Sequence, residues 1–322
     1  MQIPKTGKAL QADVENLEYV AKPIFEDFLY ENTVTMIAAD PGVGKSVVVM
    51  NLSLCACSGS MLWDKFVIDR PRRVYYLQLE GAYAEAVERM RYMAQVVPID
   101  YSNICWDNCE GINVFKQADI DMIMARIAAW GKVDIIVIDP IYMAVSGGLS
   151  KDEPATAFVK FSNALRDKFG ATVILVHHTH RAHYQDGQKV EEDDPFYGSQ
   201  WLKAHVDVSY YLKARDDKGT KSVLVNKKSR GANVQKNIPL IYDGETMTCR
   251  YDGVCHGDSA IDRVIAKLGE LKMQGKDTNL HELSEMAHLS MAHLKRIKMS
   301  HLLDEHVEFV KLPANKLLWK PK

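Results

Sequence analysis

A glycine-rich turn that ends in a lysine and a serine separates an apolar run from a helix-like run near the start of the chain. Glycines in such a turn let backbone amides close around a phosphate, and the following helix points its N-terminus at the same anion. Lys45 would reach the β- and γ-phosphates, and the Ser46 hydroxyl would ligate Mg²⁺. Ala39 stands where the usual pattern has its first glycine, so a simple strand-to-helix turn is the alternative. The turn predicts a Mg²⁺-ATP site formed by Asp40, Pro41, Gly42, Val43, Gly44, Lys45, Ser46 and Val47.

Two carboxylates follow strand-like runs further along the chain. Asp139 comes after the apolar run 133–138, where a carboxylate beside a phosphate loop can coordinate Mg²⁺. Glu80 comes after the run 73–79, and a carboxylate close to the γ-phosphate can activate the attacking water. The alternatives are an aspartate that caps a turn before Pro140 and an acid favoured by the dipole of the next helix. We interpret Asp139 as a metal ligand and Glu80 as the catalytic carboxylate.

Composition excludes several classes of protein. The formal net charge is −2, so nucleic-acid binding must come from local clusters and not from a bulk positive field. No apolar run approaches the roughly 20 residues that span a bilayer, which predicts no membrane contact. The six cysteines are scattered and form no C-x-x-C pair, which argues against a zinc knuckle or a secreted disulfide framework. A cytoplasmic protein is predicted.

Strand-like and helix-like runs alternate between residues 34 and 176. Near-continuous runs of β-branched residues separated by helices are typical of a mostly parallel sheet that helices cover on both faces. The predicted fold class is therefore α/β, and ligands should bind at the carboxyl ends of the strands. The predicted strands are 34–38, 73–79, 133–138, 171–176, 206–214 and 222–226, and the predicted helices are 46–58, 82–96, 120–130 and 155–169. A hairpin is predicted over 238–250, and residues 1–32 are interpreted as a lead-in.

The pattern changes after residue 257, which divides the chain into a domain over 1–257 and a smaller one over 258–322. Three short amphipathic helices (259–273, 281–287 and 290–302) precede two strand-like runs (308–312 and 316–320), the order of a winged helix. The third helix resembles a recognition helix and offers His293, Lys295, Arg296 and Lys298 to phosphates or bases. Winged helices also bind proteins, so the predicted partner of this domain is either duplex DNA or a protein.

The phosphate loop, Glu80, Asp139 and the segment 174–181 (Ile-Leu-Val-His-His-Thr-His-Arg) follow one another in the order found in RecA-like ATPases. Over residues 20–250 the chain resembles the hexameric replicative helicase branch, close to plasmid RepA-type and DnaB-like proteins. The resemblance implies a ring of identical subunits, most simply a hexamer, with ATP sites shared between neighbours.

Further residues take roles from this resemblance. His178 falls where these helicases place a Gln or His that senses the γ-phosphate, and His177 can share that role. Lys228 and Arg230 match a K-x-R element in which the arginine acts as a finger in the neighbouring subunit's site, with one residue fewer before the next glycine. A histidine that closes a strand and a solvated basic turn are the respective alternatives. The choice between Lys228 and Arg230 stays open.

The polar segment 181–200 lies where RecA-like proteins have loops that line a central channel and contact single-stranded nucleic acid. Basic and aromatic residues can supply phosphate and stacking contacts there. They are Arg181, His183, Tyr184, Lys189 and Lys203. The acidic run 191–194 would repel phosphate, so a plain surface loop is the alternative.

The sequence thus favours an ATP-hydrolysing, ring-forming DNA helicase that acts on single-stranded DNA. Two other functions are compatible with the same residues. One is a RadA-like recombination mediator that remodels strands without processive unwinding. The other is an ATP-gated DNA-binding regulator or replication initiator that works through the winged helix.

Overall fold

The computed structural model of the chain describes residues 22–145, 152–178, 200–216, 218–230, 234–252, 260–286, 307–311 and 317–321, with short pieces at 6–8, 11, 15, 184–185 and 188–189. In chain order, the first elements are β1 (Pro23–Phe25), β2 (Leu29–Tyr30), β3 (Val34–Ala39), α1 (Lys45–Ser58), β4 (Val74–Gln78), α2 (Tyr83–Met93), β5 (Ile104–Asn108), α3 (Gln117–Trp130), β6 (Ile135–Asp139), a 3₁₀ helix (Ile141–Ala144), α4 (Asp152–Phe169) and β7 (Thr172–His178). They are followed by β8 (Tyr184–Gln185), β9 (Gln188–Lys189), α5 (Gln200–His205), β10 (Val208–Ala214), β11 (Lys221–Ser229), β12 (Asn237–Asp243), β13 (Thr248–Tyr251), α6 (Ala260–Met273), β14 (Thr278–Asn279), α7 (Leu280–Met286), β15 (Val307–Lys311) and β16 (Leu317–Pro321).

A nine-stranded sheet forms the centre of the described structure, in the order β13-β12-β11-β10-β3-β7-β6-β4-β5. The six strands from β10 to β5 are parallel to one another, and β11, β12 and β13 extend the sheet by antiparallel pairing. The predicted α/β class with a mostly parallel sheet is confirmed, and so is the hairpin at the end of the sheet.

Alternating side chains of the buried strands pack into two apolar cores, one on each face of the sheet. In β6, Ile135 and Val137 belong to the core that contains α1, whereas Ile136 and Ile138 belong to the core that contains α3 and α4. Because both faces are covered, these strands are buried at every position and not at every second one. Parallel strands are left with their carboxyl ends at one edge of the sheet, and this edge carries the phosphate loop.

Two strand-forming parts of the fold, one in the main sheet and one in a separate two-stranded sheet, were not predicted from the sequence. Edge strand β5 has the sequence Ile-Cys-Trp-Asp-Asn, and most of its side chains are only half-buried, so it lacks the continuous apolar run of its neighbours. Strands β1 and β2 form a hairpin within the segment interpreted as a lead-in. Phe25 and Phe28 of this hairpin are fully buried in the core beside α1. Strands of two or three residues are too short to show any periodicity.

The C-terminal part contains two helices, α6 and α7, and a three-stranded antiparallel sheet in the order β14-β16-β15. Trp319 of β16 is fully buried. Helices α6 and α7 and strands β15 and β16 lie within two residues of predicted elements, whereas β14 was not predicted. The predicted boundary at 257/258, the third helix and His293, Lys295, Arg296 and Lys298 lie outside the described residues. The winged helix therefore stays a prediction.

Helix α1 follows β3 of the main sheet and has no polar face, because eleven of its 14 residues are buried. It ends at Gly59, whose φ of 73° is left-handed and whose N–H donates to the Ala56 carbonyl. A Cβ at Gly59 would lie 3.0 Å from two side-chain atoms of Pro71. Among the described helices, none is long and apolar enough to cross a bilayer.

We expect Gly59→Ala to lower the free energy of unfolding by about 2–3 kcal/mol, because alanine adds left-handed strain and also crowds Pro71. Gly219→Ala is the matched control, since Gly219 has a φ of 68° but no atom within 4 Å of an added Cβ. Urea unfolding of both variants separates strain from crowding. Equal losses in the two variants would contradict a role for the Pro71 contact.

Candidate functional site

The predicted phosphate loop lies between the carboxyl end of β3 and the first residue of α1. Gly42 and Gly44 have φ values of 83° and 92°, and a Cβ at either would meet no atom within 4 Å. Glycine is therefore favoured at both positions because the backbone is left-handed, and not because a larger side chain would clash with neighbouring atoms. Helix α1 begins at Lys45, and its first amides point toward the loop. The arrangement is an anion site of the helix N-terminus type.

Asp139 ends β6 and is hydrogen-bonded on both oxygens. Ser46 Oγ donates to Oδ1 over 3.4 Å, and the Tyr76 hydroxyl donates to Oδ2 over 2.5 Å. Burial raises the pKa of Asp139, although the two hydroxyls and the charge of Lys45 favour its ionised form. A cation at this position would offset the burial of the charge.

The donor set around Asp139 fits Mg²⁺. One carboxylate and one hydroxyl are hard oxygen ligands, and Mg²⁺ takes few ligands from protein and the others from water and substrate phosphates. Within the part of the chain that the structure describes, no three His, Cys, Asp or Glu side chains gather as a metal cage. The site is therefore of the kind that holds Mg²⁺ together with a nucleotide.

Glu80 follows β4 and is exposed. The Tyr142 hydroxyl donates to Glu80 Oε2 over 2.6 Å. Side chains from β4 and β5 fix the backbone of the same turn, because Gln78 Nε2 donates to the carbonyls of Glu80 and Gly81, and Trp106 Nε1 donates to Gln78 Oε1. The Trp106 ring in turn stacks on a tyrosine of β4, with 3.8 Å between ring centroids. Glu80 is thus held in place from two sides.

His178 ends β7 and is paired with Ala39 in the neighbouring strand β3. Burial and the nearby charge of Lys45 lower the pKa of His178 below its ordinary value, so its imidazole is neutral at pH 7. Burial likewise lowers the pKa of Lys45, whereas the charges of Asp139 and Glu80 raise it. The Tyr142 ring packs edge-on against His178, with 5.0 Å between the centroids.

Five of the predicted site residues line one cavity of about 260 Å³ at this edge of the sheet: Lys45, Ser46, Glu80, Asp139 and His178. Side chains that the sequence analysis missed share its walls or its contacts: Tyr76, Gln78, Arg89, Trp106 and Tyr142. A larger cavity of about 1060 Å³ lies at the other end of α1 and contains none of the predicted site residues. The smaller cavity is therefore the candidate site.

Lys228 and Arg230 lie elsewhere. Strand β11 runs antiparallel to β10, so that Lys228 pairs with Ser209 near the start of β10. Lys228 Nζ and Arg230 Nη2 both donate to the Ala204 carbonyl, over 2.8 and 2.6 Å. The start of β10 pairs with Thr35, four residues before the end of β3, a separation of about 13 Å along the strand. Within one chain, neither side chain is brought to the phosphate loop.

Residues proposed to contact nucleic acid are only partly described. Arg181 and His183 lie outside the described residues. Tyr184 and Lys189 belong to the small antiparallel hairpin β8–β9, and Lys203 belongs to α5. Their role in nucleic-acid binding stays a prediction.

Asp139 is the last residue of β6, and Asp134 directly precedes the strand. Folding shifts the pKa values of these two carboxylates in opposite directions. Burial raises the pKa of Asp139. Burial also acts on Asp134, but its hydrogen bonds from the Arg70 side chain and the Arg73 N–H outweigh it and lower the pKa of Asp134. Ionised Asp139 therefore lowers the free energy of unfolding at neutral pH, and ionised Asp134 raises it.

We expect Asp139→Asn to raise the melting temperature of the ligand-free protein at pH 7 by about 2–4 °C, which is roughly 1 kcal/mol, and to abolish stabilisation by Mg²⁺-ADP. Asp134→Asn is the control and should lower the melting temperature while keeping that ligand effect. The benefit of Asp139→Asn should vanish as the pH falls below the ordinary aspartate pKa. A ligand-free Asp139→Asn protein that melts below the wild type would contradict this account.

Comparison with solved structures places the fold among ATPases. One structure, described as an ATPase domain, has a TM-score of 0.53 at 14% identity over 76% of this chain and 96% of that one. A DnaB-like replicative helicase, described with its interactions with primase, has a TM-score of 0.53 at 16% identity over 75% and 66%. A KaiC-like protein of Pyrococcus horikoshii OT3 has a TM-score of 0.50 at 13% identity over 71% and 94%. At these identities the likeness shows the fold alone.

A comparison with curated proteins gives no match. A protein family described as an AAA domain matches residues 7–183, which is more than half of the chain and includes Lys45, Glu80, Asp139 and His178. The resemblance to RecA-like ATPases is thereby confirmed at the level of family and fold. This chain belongs to the AAA-domain family, and its core is a RecA-like ATPase domain.

Proposed function

We propose that the protein is a ring-forming, ATP-hydrolysing motor that acts on single-stranded DNA as a replicative-type helicase. The proposal rests on the positions of two sets of candidate catalytic residues, which lie at opposite ends of the parallel strands. Lys45, Ser46, Glu80, Asp139 and His178 share one cavity, while Lys228 and Arg230 lie at the opposite edge. An ATP site of this kind is complete only when a second subunit supplies its arginine.

The phosphate loop and Lys45 would bind the triphosphate. Backbone amides at the start of α1 and the Lys45 ammonium both carry positive charge toward the cavity. Lys45 is only 7% exposed, so few water molecules screen its charge. Ser46 and Asp139 would hold Mg²⁺, which neutralises charge on the β- and γ-phosphates when it is bound.

Glu80 would act as the general base. The oxygen of a water molecule attacks the γ-phosphorus, the bond to the β,γ-bridging oxygen breaks, and the water proton passes to the Glu80 carboxylate. Glu80 is exposed and can therefore reach water, while its carboxylate is oriented by Tyr142. His178 is neutral and can donate one hydrogen bond to the γ-phosphate while its second nitrogen accepts another.

Arg230 would complete the site of a neighbouring subunit, with Lys228 beside it. Both side chains are anchored to the Ala204 carbonyl of their own chain, which leaves other guanidinium N–H groups of Arg230 for a partner's phosphate. A guanidinium suits this role because it stays charged and can bind two oxygens at once. This arrangement supports a closed ring of identical subunits, and the DnaB-like fold supports six.

Residues 258–322 are proposed to form a separate winged-helix domain that binds duplex DNA or a protein. The two helices and the three-stranded sheet of its described part have the order that this fold requires. The ATPase domain would then act on single-stranded DNA, and the winged-helix domain would bind duplex DNA or a protein partner.

We expect Lys45→Ala to remove ATP hydrolysis and Arg230→Ala to lower its kcat by about a thousandfold. Mixing the two inactive variants should restore activity, because an Arg230→Ala subunit retains Lys45 and a Lys45→Ala neighbour retains Arg230. Random one-to-one mixing in a ring leaves about one quarter of the sites intact. Steady-state phosphate release measures the outcome.

Lys227→Ala is the matched control, since Lys227 is exposed on the same strand and should leave the activity unchanged. Lys228→Ala, mixed in the same way, decides which of the two basic residues is the finger. If the mixture of Lys45→Ala and Arg230→Ala stays inactive although the two variants co-assemble, the shared-site proposal is wrong.

We expect the wild-type protein to separate a forked DNA duplex with ATP and Mg²⁺, and both Lys45→Ala and Arg230→Ala to fail. ATP hydrolysis by the wild type should rise several-fold with single-stranded DNA, because the predicted DNA-binding segment 181–200 follows His178 closely in the chain. A strand-displacement assay tests this directly. Stimulated hydrolysis without unwinding would favour a recombination mediator, and sequence-specific duplex binding without stimulation would favour a regulator.

A further inference from the structure

Tyr142 is in contact with two candidate catalytic groups at once and belongs to no motif of the sequence. It lies in the 3₁₀ helix that follows Asp139 and Pro140. Its hydroxyl donates to Glu80 Oε2 over 2.6 Å, and its ring packs edge-on against His178 at an interplanar angle of 80°. Glu80 and His178 come from different strands, and Tyr142 joins them.

We propose that Tyr142 is a positioning residue that holds the Glu80 carboxylate in its water-activating orientation and joins it to the γ-phosphate sensor His178. This inference rests on the proposed hydrolysis of ATP with Glu80 as general base. Tyr142 itself touches neither the phosphates nor the water in this account, and acts only through Glu80 and His178.

The hydrogen bond from Tyr142 occupies one oxygen of the Glu80 carboxylate, which leaves the other oxygen to accept the proton of water. Oε2 of Glu80 accepts from Tyr142, whereas among the described residues no hydrogen bond is made to Oε1. A carboxylate held at one oxygen can rotate less, so that the other oxygen faces one direction in the cavity. General-base catalysis depends on such placement because the base must lie within hydrogen-bond reach of the water.

Tyr142 is suited to donate at any physiological pH. Burial, the hydrogen bond to Glu80 and the charge of that carboxylate raise the pKa of Tyr142 to about 12. The 3₁₀ helix that carries it is fixed at its far end, because the Val114 N–H donates to the Ala144 carbonyl over 2.9 Å. The hydroxyl is therefore presented by an anchored segment.

The ring contact gives a route from the nucleotide to the base. The Tyr142 ring lies against the His178 imidazole, so a γ-phosphate that drew the imidazole toward itself would also move the ring. Movement of the ring moves the hydroxyl and therefore Oε2 of Glu80.

Tyr142→Phe in the full-length chain removes the hydroxyl and keeps the ring. We expect kcat for ATP hydrolysis to fall about tenfold, the loss of one hydrogen bond to a charged group, with KM for ATP unchanged within about twofold. Tyr101→Phe is the control, because Tyr101 is 72% exposed and should change neither constant. A general structural defect would instead lower the melting temperature or raise KM.

A double-mutant cycle with Glu80→Ala completes the test. If Tyr142 acts through Glu80, adding Tyr142→Phe to Glu80→Ala causes no further fall in kcat. An unchanged kcat in the single variant, or an equal tenfold fall in both backgrounds, overturns the proposal for Tyr142. Failure of the proposed function is distinct, because Lys45→Ala and Glu80→Ala would then retain wild-type hydrolysis whatever Tyr142→Phe does.

Discussion

Lys45 is a buried ammonium group that interacts electrostatically with Asp139 and Glu80. The arrangement of residues at the carboxyl ends of the parallel strands depends on this interaction. A buried charge is unfavourable unless opposite charges or hydrogen bonds compensate it. Burial lowers the pKa of Lys45 and raises that of Asp139, and each group favours the charged form of the other. The three groups come from the ends of different elements, so the sheet order decides whether they meet. Strand β3 leads to Lys45, β6 ends in Asp139, and β4 leads to Glu80, all at one edge.

The strands that bring these groups together are buried along almost their whole length. Parallel sheets occur almost only where helices cover both faces, and the cores on the two faces are here built from alternate residues of the same strand. Tyr76 of β4 and Ser46 of α1 donate to the Asp139 carboxylate, and Gln78 at the end of β4 donates to the backbone carbonyl of Glu80. The two apolar cores fix the positions of the strand ends, and the hydrogen bonds of these neighbouring residues fix the orientation of the site residues.

The sequence predicts the parts of the site that follow from local pattern. Lys45 and Ser46 belong to a recognisable loop, and Asp139 and Glu80 follow apolar runs whose ends must share an edge of the sheet. Tyr142 and Trp106 could not be found in this way, because their partners lie 62 and 28 residues away in sequence and their types fit any core. Trp106 also belongs to the edge strand β5, where one-sided packing allows polar residues and removes the apolar signal. Arg230 was singled out by family resemblance, and only the pairing of β11 with β10 shows which edge it occupies.

The placement of Arg230 has a consequence for how copies of the chain can be joined. The candidate cavity lies at the carboxyl ends of the parallel strands, and Arg230 lies near the opposite ends of the same strands. In the proposed shared site, each subunit would accept an arginine at one end of the sheet and provide one at the other. With Arg230 acting on a neighbour, an open row of subunits always keeps one cavity without its arginine. Closure of such a head-to-tail row into a circle would give every subunit a complete site, and full ATP hydrolysis would then indicate that the circle is closed.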